Sequence, residues 1–138
     1  MESKLNKDFS DWIFNGNAEK VQVAIDAGIN LNEVYPEGMT PLIIAVEGDQ
    51  PKILDLLLKN GANPNLRSGI NGTTALHWAV EYAMDGMIQN GKETPYSEPI
   101  ECITILLAHG ADKNVKDENG KTPLDFQMTD EIRRVLNS

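Results

Sequence analysis

The amino-acid sequence predicts an all-α solenoid, a stack of helix-turn-helix units whose tips are β-turns or short hairpins. Three observations predict it. A block opening on glycine recurs as Gly28-Ile-Asn-Leu-Asn32, Gly61-Ala-Asn-Pro-Asn65 and Gly110-Ala-Asp-Lys-Asn114. A second block follows each one in phase: Met39-Thr-Pro-Leu42, Thr73-Thr-Ala-Leu76 and Lys121-Thr-Pro-Leu124, with 12, 13 and 12 residues from the glycine to Thr40, Thr74 and Thr122. Between the blocks, apolar residues recur at helical spacing, and Gly28 to Gly61 is 33 residues. A fixed period of this length marks a repeat architecture, in which each unit buries its apolar face only against a neighbour.

Each element follows from local chemistry. Thr40, Thr74 and Thr122 are natural helix N-caps, and Pro41 and Pro123 occupy the first helical position, where a missing N–H costs nothing. Leu42, Ala45 and Val46, then Leu76, Ala79 and Val80, give one apolar face to each first helix. The second helices carry Ile53, Leu54, Leu56, Leu57 and Leu58 in one unit and Cys102, Ile103, Ile105, Leu106 and Leu107 in the next. Gly28, Gly61 and Gly110 stand where these helices end, ready for the left-handed conformation that closes a helix. Segments 33–38 and 118–120 supply the turns between units.

The two blocks resemble the ankyrin repeat, with its 33-residue period and T-P-L-H-x-A signature. The resemblance covers nearly the whole chain and implies one domain, residues 1–138. Its units are about 7–38, 39–72, 73–120 with an insertion near 84–98, and a short 121–138. In the first unit Lys7 and Asp8 replace the Thr-Pro start, with Phe9, Trp12 and Ile13 inside and Asp8, Asp11 and Asn15 outside. That pattern reads as an N-terminal cap. Asp130, Glu131, Arg133 and Arg134 interleaved with Ile132, Val135 and Leu136 read as a C-terminal cap, so a complete stack is expected. The third unit runs 36 residues from Thr74 to Gly110, against 21 from Thr40 to Gly61, an excess of 15. Ala79, Ala83, Met84, Met87 and Ile88 predict a first helix that continues past its usual end. Asn90-Gly91 would stop it, before a loop over 92–98.

Composition excludes several functions. The chain has 138 residues, 41% apolar and 24% charged, with 21 acidic against 12 basic side chains, a net charge of −9. That balance argues against a nucleic-acid binder, which needs a basic face, and against docking on an anionic membrane. Cys102 is the only cysteine, so no internal disulfide forms and a reducing compartment, the cytoplasm, is expected. Residues 1–7 carry no apolar signal-peptide core, and no apolar run approaches the ~20 residues of a membrane span. Asn71-Gly72-Thr73 matches a glycosylation acceptor that a non-secreted chain would not use.

No cofactor, metal or catalytic group is expected. Gly86-Met-Ile-Gln-Asn-Gly91-Lys92 resembles a phosphate loop, but Glu93 follows where a hydroxyl should meet magnesium, and no apolar strand precedes it. His77 stands at the H of T-P-L-H, which implies a structural hydrogen-bond network between units. His109 precedes Gly110 at a helix C-terminus, where a cation is favoured. One cysteine and two distant histidines give no zinc spacing. Residues 112–120 resemble a calcium loop only with the glycine misplaced and Lys116 at a ligand position. Cys102 lies on an apolar helix face, Ser97 has no histidine near it, and the carboxylates read as a solvated surface. The chain is therefore expected not to be an enzyme.

The resemblance implies a protein-binding module whose concave face is built from the tips and the exposed sides of the first helices. Carried over residue by residue, the tips give Tyr35, Pro36, Glu37 and Met39, then Ile70, Asn71 and Thr73, then Glu118, Asn119 and Lys121. The first helices give Phe14, Glu47, Glu81 and Tyr82. The second tip holds one extra residue, which leaves its register open. Tyr35, Met39 and Ile70 are expected as exposed apolar anchors, ringed by Glu37, Glu47, Glu81 and Glu118. Trp78 either joins them or packs between first helices. Met84, Met87, Ile88 and Tyr96 make the insertion a second candidate surface, or else a small satellite core. The expected partner is a protein with a basic or mixed surface, met by a monomer. An inhibitor or immunity-type protein blocking a partner's active site is a sharper form of this reading. A regulatory subunit binding a small ligand under the insertion, and an acidic nucleic-acid mimic, are the alternatives.

Overall fold

The computed structural model describes residues 4–89, 97–125 and 130–136, with side chains at all of these except 83–89, 97–99 and 130–132. The helices are α1 Lys4–Phe14, α2 Ala18–Asp26, α3 Pro41–Glu47, α4 Pro51–Lys59, α5 Ala75–Gln89, α6 Ser97–Ala108 and α7 Asp130–Leu136, with a 3₁₀ turn at Pro123–Asp125 before α7. No strand occurs among the described residues. Within each unit the helices pair as α1 with α2, α3 with α4 and α5 with α6. Across units they form two layers: α1, α3, α5 and the 3₁₀ turn in one, α2, α4, α6 and α7 in the other. Phe9, Ile13, Ile43, Ile53, Leu54, Leu57, Leu76, Ile103, Leu106 and Leu136 are fully buried between the layers.

Helix starts and stops obey the local rules. The Thr40 hydroxyl accepts the Ile43 N–H at 3.3 Å, and Pro41 opens α3. At the end of α2, Gly28 N–H bonds the Ile25 carbonyl and Ile29 N–H bonds that of Ala24. The same pair of bonds recurs at Gly61 and Ala62 and at Gly110 and Ala111. These three glycines hold φ of 89°, 103° and 93°, where a Cβ would be strained although open space surrounds it. The tight connection inside a unit uses the same motif, at Gly16 in the first unit and at Asp49, φ 53°, in the second. Aspartate is one of the few side chains that tolerate this conformation.

The first unit differs from expectation at its start. Helix α1 is already formed at Lys4 rather than beginning at Lys7, because Lys7 has no hydroxyl to cap a helix and no proline follows it. Helix α5 does continue past the usual length, 15 residues against 7 for α3. The residues expected to stop it, Asn90 and Gly91, lie outside the described residues. Helix α6 begins at Ser97, inside the segment expected to be loop, with Pro99 in its first turn, where the absent N–H has no intrahelical partner to lose. In the last unit the described part of the first helix is the 3₁₀ turn Pro123–Asp125, and residues 126–129 lie outside the described residues. There the Thr122 N–H and hydroxyl both bond the Asp125 carboxylate, at 2.8 and 3.1 Å. The backbone bond from Thr122, more than any other group, holds the Asp125 carboxyl below its usual range.

Side chains of the glycine blocks join the units. Asn32 Nδ2 donates to the Gly61 carbonyl while its Oδ1 accepts the Asn63 N–H. Asn65 repeats this one unit on, with the Gly110 carbonyl and the Asp112 N–H. Tips also pair directly, Gly69 N–H to the Gly38 carbonyl at 3.0 Å and Glu118 N–H to that of Asn71 at 2.8 Å. In the second layer, His109 Nε2 lies 2.9 Å from Asp55 Oδ1, and Lys59 lies 2.7 Å from Oδ2. Hydrogen bonds from Lys59 first and His109 second hold the Asp55 carboxyl below its usual range.

One close approach sets how α1 meets α3. A Cβ on Gly48 would stand 2.7 Å from the Phe14 carbonyl oxygen and 3.1 Å from its Cα, both backbone atoms. Gly48 has an ordinary helical φ of −79°, so contact and not conformation requires the glycine. Gly48→Ala is expected to lower stability by about 1–3 kcal/mol, read as a fall in the urea midpoint. An unchanged midpoint would mean the two helices separate freely.

Candidate functional site

The first helices present one row of equivalent side chains. Glu47 and Glu81 each stand seven residues after an N-cap threonine, Thr40 and Thr74. Phe14 and Glu47 each stand two residues before the left-handed residue of the inner turn, Gly16 and Asp49. Phe14, Glu47 and Glu81 therefore occupy the same place in three successive units. All three are exposed, Phe14 to 50%. Between α3 and α5 a cleft of about 130 Å³ is lined by Val46, Glu47, Trp78, Glu81 and Tyr82. Trp78 and Tyr82 are half-buried and one helical turn apart. Burial first, and the charge of Asp49 second, push the Tyr82 phenol above its usual range, so it stays neutral.

The tips are less available than their sequence implies. Tyr35 is only 2% exposed and belongs to the core. The expected anchor is a structural residue, because its N–H closes the first tip on the Met39 carbonyl and its ring turns inward. Met39 is half-buried against the same core. Ile70 is half-buried with its Cγ1 facing Gly38, 2.8 Å from where a Cβ on that glycine would stand. Thr73 is occupied internally: its hydroxyl lies 2.8 Å from the Ile70 carbonyl and 2.9 Å from Ser68 Oγ, and it accepts the Trp78 indole N–H at 2.9 Å. Pro36, Glu37, Asn71, Glu118, Asn119 and Lys121 are exposed as expected. Val34, 41% exposed, is an apolar tip residue that sequence reasoning passed over.

The extra residue of the second tip is now placed. Ser68 N–H bonds the Thr73 carbonyl across five residues, where Tyr35 to Met39 and Asp117 to Lys121 span four. Asn71 absorbs the difference at φ 55°, and Ser68 Oγ accepts the Ile70 N–H. Arg67 braces this tip to the next through the carbonyls of Gly72 and Lys116.

His77, Cys102, Asp112 and Asp117 are built into the scaffold, and the Ser97 side chain lies outside the described residues. His77 bonds Thr74 and the Lys121 carbonyl, as the T-P-L-H resemblance implied. Cys102 is buried, and desolvation pushes its thiol up to about 12. Asp112 and Asp117 accept turn N–H groups from Asn114, Asn119 and Lys121, which is what the calcium-like run is used for. Gly86 to Gln89 lie within α5. Met84, Met87 and Ile88 are on that helix, but their side chains, and Tyr96 altogether, lie outside the described residues. No helix among the described residues is long and apolar enough to cross a membrane.

A two-layer stack of paired helices that displays a row of exposed side chains defines a helical repeat scaffold. Residues 11–90 match the family model of ankyrin repeats in three copies, and residues 71–118 match that of the single ankyrin repeat. The chain belongs to the ankyrin repeat family. It is 36% identical over 124 residues to FPV031 of fowlpox virus (strain NVSL), named for its ankyrin repeats, covering 73% of this chain and 36% of that protein. It is also 36% identical over 110 residues to ankyrin repeat and SOCS box protein 6 of Mus musculus, covering 79% and 23%. The crystal structure of the ankyrin repeat domain of Bcl-3 superposes with a TM-score of 0.77 at 26% identity, covering 94% of this chain and 50% of that one. The chain thus spans about a quarter to a third of the two sequence relatives and half of the Bcl-3 domain. Ankyrin repeats are generally protein-protein interaction modules.

Proposed function

We propose that the chain is a non-catalytic protein-binding module, a cytoplasmic monomer that docks its partner on the face built from the tips and first helices. The observation that supports this most directly is the row Phe14, Glu47 and Glu81, exposed at one place in three successive units. The tips extend the acidic character with Glu37 and Glu118, which favours a partner with a basic or mixed surface. The mechanism is rigid docking: the helices and tips are already fixed by their caps and inter-unit bonds, so little ordering cost remains on association. An inhibitor that covers a partner's active site is one form of the same docking.

Affinity capture from the native cell tests the reading. The bait carrying Glu47→Lys and Glu81→Lys, with its circular dichroism and melting unchanged, should lose at least one partner held by the unaltered chain, with binding weakened about tenfold or more. Recovery of the same partners by both baits would sink the proposal. Tyr35 is unsuitable for such a variant, because its replacement opens the core.

A further inference from the structure

We propose that the cleft between α3 and α5 receives the guanidinium of a single arginine side chain of the partner, an inference that rests on the protein-binding reading above. The cleft, about 130 Å³, has room for the end of one side chain rather than for a strand or helix. It is lined by two aromatic residues, Trp78 and Tyr82, two glutamates, Glu47 and Glu81, and the aliphatic Val46. Aromatic faces attract a cation through their quadrupole, and carboxylates accept its hydrogen bonds. The same combination repels an anion.

The indole wall is preorganised. Trp78 Nε1–H donates to Thr73 Oγ1 at 2.9 Å, and that hydroxyl is itself held 2.9 Å from Ser68 Oγ. The ring therefore keeps its orientation whether or not the cleft is filled. Glu47 and Glu81 are equivalent residues of adjacent units, so their backbones are separated by one inter-helix spacing, roughly 8–10 Å. A planar fork with five donors reaches toward both, and its flat face stacks on an aromatic ring; an ammonium offers a point charge and keeps its water. Asp49, whose charge is felt at Tyr82, adds to the negative potential around the cleft. The overall charge of −9 draws cations toward the molecule as a whole.

The test uses the intact chain and nitrogen-15 NMR of the two indole N–H groups. Trp78 reports on the cleft, and Trp12, against which the Lys20 ammonium already lies at 5.6 Å, is the internal control. An acetylated Gly-Arg-Gly amide is the probe, with the lysine and citrulline versions alongside. The arginine peptide should shift the Trp78 signal saturably, at concentrations on the order of millimolar, and leave Trp12 in place. Citrulline, isosteric but neutral, should not shift Trp78, and lysine should do so more weakly. Glu47→Gln and Glu81→Gln should each weaken the response about two- to fivefold. An unmoved Trp78, an equal response to citrulline, or equal movement of Trp12 overturns the proposal. Loss of capture by the charge-reversed bait without a Trp78 response refutes the arginine site alone. A Trp78 response beside unchanged capture upholds the site and refutes the protein-binding reading.

Discussion

Replacing His77 with alanine is expected to remove about 3–5 kcal/mol of stability and to release the last unit first. The imidazole is fully buried. Its Nδ1 accepts the Thr74 N–H at 3.1 Å and lies 2.9 Å from the Thr74 hydroxyl. With Nδ1 accepting, the ring proton sits on Nε2 and is donated to the Lys121 carbonyl at 2.9 Å. One side chain thus caps α5 and ties the third unit to the fourth, 44 residues on. Alanine leaves the buried Thr74 N–H without this partner, at about 1–3 kcal/mol, removes one of the two bonds to the Lys121 carbonyl, which keeps the Asp117 N–H, and adds a cavity where the ring was. Against a total of roughly 5–15 kcal/mol this is a large share. Urea unfolding followed by Trp78 fluorescence checks it. A loss below about 1 kcal/mol would show that water or a neighbour satisfies the Thr74 N–H.

The same position shows why some of the structure was legible in the sequence and some was not. Thr40, Pro41, Gly28, Gly61 and Gly110 act through neighbours within a few residues, so their roles can be read without coordinates. Three units solve the capping problem differently: Thr40 alone in the second, Thr74 with His77 in the third, Thr122 with Asp125 in the fourth. Threonine and histidine follow from the T-P-L-H pattern, whereas the aspartate substitution is recognisable only from its bonds. The inter-unit bridges of Asn32 and Asn65 recur in the glycine blocks, but their partners lie 29 to 47 residues away. The hydrogen-bond contact of His109 with Asp55 crosses 54 residues and has no local signature.

The exposed side of the first helices was legible in the sequence, and the tips were misread at Tyr35, Met39 and Ile70. Phe14, Glu47 and Glu81, the first-helix positions implied by the resemblance, are exposed. A tip has no helical period. Tyr35 and Ile70 sit in turns whose side chains point wherever the adjacent turn leaves room, and both found neighbours. The equivalence of Gly16 with Asp49, which aligns Phe14 with Glu47, needed the backbone angles. The cleft beside Trp78 depends on the indole bond to Thr73, a pair five residues apart whose geometry no pattern specifies.

Leu57→Ala is the second large expected effect, and it tests whether the stack transmits stability from unit to unit. Leu57 is fully buried on α4, which packs against α3 in its own unit and against α2 and α6 on either side. Truncation removes the buried methyl groups and leaves a cavity in the middle of the second layer, costing about 3–5 kcal/mol. In a quasi-one-dimensional stack each unit is held mainly by its neighbours, so damage at the centre uncouples the two ends. The two tryptophans lie on opposite sides of the damage, Trp12 in the first unit and Trp78 in the third. With each retained in turn and the other replaced by phenylalanine, the unaltered chain should give coincident urea transitions. The Leu57→Ala chain should give lower and separated ones. Coincident transitions in the variant would mean that the four units unfold as one block despite a weakened centre. The row of Phe14, Glu47 and Glu81 would then owe its alignment to global cooperativity rather than to contacts between neighbouring units.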